Sequence, residues 1–103
     1  MSEAQLVQID SSRWRLQGSL SLSNVAGLAA EGRRLVEQAG PVELDLAEVR
    51  YSSSAGVALL LEWQEQIHRA GGQLRLSNCP DALWRIADFS NVGGLLGIKP
   101  LDG

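Results

Sequence analysis

Ser54, His68 and the carboxylates Asp81 and Asp88 are the side chains that invite a nucleophile, a base and an orienting acid. Fourteen positions separate Ser54 from His68, so on one helix they stand roughly 21 Å apart at a rise of about 1.5 Å per residue. No proton passes directly over that gap. Glu62 and Glu65 lie three apart, a spacing that suits a solvated helical flank better than two carboxylates opposed across a substrate. "VGGLLG" has neither the strand-then-helix context nor the Lys-Ser/Thr ending of a phosphate loop, and its glycines suit a turn. Cys79 is the only cysteine and His68 the only histidine, so no intramolecular disulfide and no multi-histidine metal site can be assembled. No catalytic residue, metal or cofactor is expected.

What remains is "RYSSSAGVALLLEW", Arg50 to Trp63, in which three serines and a glycine abut an apolar run. The first turn of a helix leaves backbone N–H groups without intrahelical partners, and the hydroxyls of Ser52, Ser53 and Ser54 are placed to accept from them. Capping accounts for one serine or two. A helix start also favours anions, so a partner's carboxylate, or a phosphate carried by Ser54, would meet amides and the positive end of the dipole. Gly56, in the first turn, would let another backbone approach closely. Capping alone and capping with recognition both fit these residues.

The elements that must position this cluster follow from periodicity. In "QLVQID" Leu6, Val7 and Ile9 form a short apolar run, and in "RWRLQ" Trp14 and Leu16 alternate with polar residues. With "IDSSR" as a turn between them, these are two strands of a hairpin. In "LSNVAGLAAEGRRLVEQAG" Val25, Leu28, Ala29, Leu35 and Val36 recur at helical spacing, with Ser23 or Asn24 as the cap and Gly40-Pro41 as the stop. Gly27 and Gly32 weaken that helix. "VELDL" is a third strand, a second helix runs from about Ser54 to Ala70 and ends at Gly71-Gly72, and "QLRLS" is a fourth strand. A third helix begins with Pro80 in its first turn, shows Leu83, Ile86 and Ala87 on one face and ends near Gly93; "LLGI" adds an edge strand or a final turn. Alternating strands imply a sheet covered on one face. Crossover connections require part of it to be parallel. The expected fold is α/β, a small mixed sheet of four to five strands with helices packed on one side.

On the second helix, Val57, Leu60, Leu61, Gln64 and Ile67 should pack on the sheet, which leaves Leu59, Trp63, Gln66 and Ala70 on a neighbouring stripe. Trp63 then stands near the core's edge, and Trp84 and Phe89 flank the apolar face of the third helix, so the two helices could share an aromatic border. Large aromatics anchor interfaces. Leu59, Trp63 and Trp84 therefore join Ser52, Ser53, Ser54, Ala55 and Gly56 as candidate partner-binding residues.

Composition narrows the partner. The chain has 103 residues, 45% of them hydrophobic, enough for one domain with one core. A formal net charge of −3 gives no support for a nucleic-acid groove or a basic lipid-binding face. "MSEAQLVQID" lacks the basic start and apolar stretch of a secretion signal, and no segment approaches a membrane span. The expectation is a cytoplasmic protein whose partner is another protein, with no direct membrane insertion.

The order of elements, the "LQGSLSLSNVAGL" lead into the first helix, the "VELDLAEVRYSSSAGVALLLEW" strand-loop-helix and "RAGGQLRLSNCPDALWRIADFSNVGGLLGI" resemble a STAS domain, the fold of anti-sigma-factor antagonists. The resemblance covers about Leu6 to Ile98, within a single domain of residues 1–103. Family members usually carry Asp, then Ser or Thr, then a small residue and Gly before an apolar helix; here the run is Ser53, Ser54, Ala55, Gly56. Ser54 falls where regulated antagonists are phosphorylated, and Ser53 replaces the usual aspartate. Within the family, "SAGVALLLEW" and the short C-terminus are most similar to the small cytoplasmic subunit of the Mla phospholipid-transport ABC complex. That likeness implies a non-catalytic subunit that clasps the ABC transporter ATPase away from its nucleotide, at the inner-membrane face, and supports its assembly and activity. The alternative implied by the wider family is a phospho-regulated antagonist that binds an anti-sigma kinase.

Overall fold

The structure, a computed structural model, describes residues 4–37 and 40–89, without the side chains of Tyr51, Asp88 and Phe89. Its elements run β1 (Gln5–Gln8), β2 (Arg13–Leu20), α1 (Val25–Val36), β3 (Pro41–Ser52), α2 (Ser54–Arg69), β4 (Gln73–Ser77) and α3 (Asp81–Phe89). The strands form one sheet in the order β1-β2-β3-β4. β1 and β2 are the expected antiparallel hairpin, closed by Asp10, whose carboxylate accepts from the backbone N–H groups of Ser12 at 3.0 Å and Arg13 at 2.9 Å. β2 pairs parallel with β3, and β3 parallel with β4. The two successive crossover connections, β2-α1-β3 and β3-α2-β4, bring α1 and α2 into contact with each other.

The core is built by the alternation of β2 and β3. Trp14, Leu16 and Leu20 of β2 and Val42, Leu44 and Leu46 of β3 are buried beneath Leu28 and Leu35 of α1, Val57, Leu60 and Ile67 of α2 and Leu83 and Ala87 of α3. Residues of opposite phase face the other side and pair with one another, as in Gln17 to Gln5 at 3.2 Å, Ser77 to Glu43 at 3.3 Å and Asn78 to Asp45 at 3.1 Å.

β3 is longer than its sequence pattern suggests. Its period-two alternation stops at Leu46, yet the strand continues to Ser52. Two register shifts against β2, between Arg15 and Gln17 and between Gly18 and Ser19, each insert one extra β3 residue. Each insertion flips the inward phase, so the buried positions run Val42, Leu44, Leu46, then Val49, then Ser52. Gly18, with φ of 97°, supplies the left-handed backbone at the second shift.

α2 ends in a Schellman arrangement, with Gly71 at φ 85° and the N–H groups of Gly71 and Gly72 donating to the carbonyls of His68 at 3.0 Å and Ile67 at 2.9 Å. α1 begins after Asn24, whose side chain does not cap it. Instead the Asn24 carboxamide accepts from the Ser21 N–H at 2.9 Å and donates to the Ser19 carbonyl at 2.7 Å, which turns the chain off the end of β2. The expected end of the third helix near Gly93 and the "LLGI" element lie outside the described residues.

Candidate functional site

The three serines have three different environments. Ser52 closes β3, is 5% exposed and donates its hydroxyl to the Ser53 carbonyl at 2.9 Å. Ser53 is the N-cap of α2: its extended backbone is held by its N–H to the Leu20 carbonyl at 2.9 Å, and its hydroxyl accepts from the Ala55 N–H at 3.2 Å. Ser54 is the first residue of the helix and is exposed. One serine caps, one is sealed inward by the second bulge, and one faces outward.

Gly56 is buried and serves the chain's own packing. A Cβ there would run into the Ser52 hydroxyl and the side chain of Leu20, so the bare backbone lets α2 settle on the end of β2. The expectation that Gly56 admits a partner's backbone is corrected for this reason. Leu59 and Trp63 also need correction, since they are 4% and 0% exposed rather than at the core's edge. α2 is buried on two sides, its Val57, Leu60 and Ile67 in the core and its Trp63 against α1, where the indole lies over Gly32. Gly32 therefore makes room for Trp63 between α1 and α2, a role hidden by its poor helix propensity. Trp84 is half-buried and packs on the core from α3; the side chain of Phe89 lies outside the described residues.

Beside Ser54, between the first turns of the two helices, lies a groove of about 580 Å³. One wall is Leu22, in the turn before α1, with Val25, Ala26 and Ala29 of α1; the other is Ser54, Ala55, Ala58, Leu59 and Glu62 of α2. Leu22 is 80% exposed, far more than the other large apolar residue left outside the core among the described residues, Ile9 at 45%. Leu22 was not singled out from sequence, because it continues the inward phase of Leu16 and Leu20. The Asn24 clamp on Ser19 and Ser21 turns the chain where β2 ends at Leu20, two residues before Leu22, so that phase no longer applies and Leu22 lies at the groove's rim.

Among the described residues the remaining reactive side chains make no catalytic arrangement. Glu65 pairs with Arg69 at 2.6 Å and Glu62 accepts from Gln66 at 2.9 Å, each one helical turn away on the solvated flank. Asp81 pairs with Arg85 at 2.9 Å at the start of α3. Cys79 is buried, and burial first, the Asp81 carboxylate second, push its thiol up to about 11. Among the described residues no cluster of three His, Cys, Asp or Glu could hold a metal, and no helix is long and apolar enough to cross a membrane.

A mixed four-stranded sheet with its helices on one face and a capped helix start open at the rim define a STAS fold. The chain belongs to the STAS-domain family described as "Mlab, STAS domain", which matches residues 7–97. Solved structures agree on the fold. The unphosphorylated anti-sigma factor antagonist SpoIIAA is similar with a TM-score of 0.70 at 18% identity, over 88% of this chain and 83% of that one. The STAS domain of an antisigma-factor antagonist from Rhodobacter sphaeroides gives 0.56 at 18% identity, over 76% and 85%. The murine Solute Carrier 26 family member A9 anion transporter, inward-facing, gives 0.62 at 13% identity; there 90% of this chain spans 18% of the transporter. No curated protein matches the chain.

Proposed function

We propose that this chain is a non-catalytic STAS subunit that docks on the ATPase of an Mla-type phospholipid-transport ABC transporter, supporting its assembly and activity in maintaining outer-membrane lipid asymmetry. The docking face is the exposed Ser54 corner and the groove beside it, rimmed by Leu22. The observation that carries this reading is the coincidence of the "Mlab" family match over 7–97 with an open, apolar helix-helix groove at the motif serine. Ser53 also supports it. The cap hydroxyl stands where a phospho-switched antagonist would carry an aspartate, which suits a constitutive contact better than a cycle of phosphorylation. Co-expression with the candidate ATPase and permease, followed by affinity purification of this chain, tests the reading. Recovery of a stable complex supports it; recovery of an anti-sigma kinase in place of the transporter overturns it.

The second reading, a phospho-regulated antagonist, has one observation in its favour. Ser54 is exposed at a helix start in a fold similar to SpoIIAA, so a kinase could reach it. Intact-mass measurement of the protein from its own cells separates the two, a stoichiometric phosphate favouring the antagonist.

A further inference from the structure

Resting on the docking reading above, we propose that the occupant of the α1–α2 groove is an amphipathic helix of the partner, carrying an apolar stripe and a lysine or arginine that faces Glu62. Three properties of the groove lead there. Its walls are two helical stripes, Val25, Ala26 and Ala29 of α1 on one side, with Leu22 in the turn before them, and Ala55, Ala58 and Glu62 of α2 on the other, at the three- and four-residue spacing that a third helix can enter ridge into groove. The alanines keep the floor low enough for a close helix-helix approach. From Ser54 to Glu62 the α2 wall is roughly 12 Å long, about two helical turns.

The backbone chemistry selects a helix over an extended peptide. Beyond their first turns the groove's walls are helices whose N–H and C=O groups pair within the helix, and among the described residues no free sheet edge lines it. An extended segment laid on these methyl groups would bury its backbone amides without partners, whereas a helix satisfies its own.

Charge selects the sequence of that helix. Among the described residues that line the groove, Glu62 is the one with an ionisable side chain; it is exposed, and its hydrogen bond from Gln66 is neutral. No lysine or arginine is among those lining residues, so the charge they present is negative. An anionic lipid headgroup meets no cation here. A basic side chain on a helix does meet a complement.

The test uses the co-purified ATPase subunit as the probe and compares wild type with Glu62→Gln, Glu62→Lys and Leu22→Glu. The expected result is a binding constant weakened roughly two- to fivefold by Glu62→Gln and about tenfold by Glu62→Lys, with a weaker salt dependence in both, because an exposed ion pair is worth little but is screened. Photo-leucine at Leu22 should cross-link partner residues spaced three and four apart. If Leu22→Glu abolishes binding while Glu62→Lys binds as wild type, or if the cross-links fall on alternate residues of an extended segment, the helix proposal is overturned and the docking reading survives. If Leu22→Glu binds as wild type, both fail.

Discussion

The indole of Trp63 fills the space that a side chain at Gly32 would need, so α1 and α2 meet through a tryptophan laid on bare backbone. Gly32→Ala should therefore destabilise the fold by about 1–3 kcal/mol through overpacking, less the gain of up to ~1 kcal/mol in helix propensity. Gly27, one helix face away, has open space around it. Gly27→Ala should stabilise by about 0.5–1 kcal/mol. Urea denaturation of the two variants checks the contrast, and equal effects would show that Trp63 does not pack there.

The same contact assigns Trp63 to stability. Trp63→Ala should cost about 3–5 kcal/mol and lower soluble yield, whereas Ser54→Ala should leave the denaturation midpoint within about 0.5 kcal/mol of wild type. A Trp63→Ala variant of unchanged stability would return that residue to the surface.

Ser53→Ala should cost about 1 kcal/mol, the usual worth of a serine cap, because its hydroxyl alone holds the Ala55 amide. Gly56→Ala should cost about 1–3 kcal/mol by forcing a methyl against Ser52 and Leu20. Adding Ser52→Ala removes the closer of the two obstacles and should recover part of that loss. Strict additivity of the two substitutions would contradict the packing described for this corner.

These variants show which parts of the molecule could be read from its sequence. The hairpin, the capped α2 and the Gly71-Gly72 stop were legible because each rests on a local rule, a turn residue, a hydroxyl or a left-handed glycine. The fold class followed from alternation in "RWRLQ" and "VELDL". The last six residues of β3 were not legible, because two bulges reverse the inward phase and so erase the pattern that marks a strand. The site was half legible. Ser53 and Ser54 could be placed at a helix start by type alone, but Leu59 and Trp63 face α1 through a tertiary contact that helical spacing cannot reveal. Leu22 was hidden by a side-chain clamp from Asn24.

Cys79 gives a pH prediction with a definite sign. Its thiol is raised to about 11 in the fold, by burial and by Asp81, above the ordinary thiol value of about 8.5. Between those values the unfolded chain has lost its proton and the native one has kept it, so stability is full below about pH 8.5 and falls as pH rises toward 11. Denaturation midpoints at pH 7.5 and 10 should differ in that direction, and Cys79→Ala should remove that share of the difference. Native protein at pH 8 should also react with a thiol reagent far more slowly than protein in urea. Equal rates would show an accessible thiol.

The most direct measurement compares how much ATPase subunit co-purifies with wild type and with Leu22→Glu, both verified as folded by circular dichroism. Docking through the open corner between the first turns of α1 and α2 requires that the charge placed on the groove's rim remove most of the bound ATPase while the fold stays intact. Undiminished recovery with the variant would contradict that account.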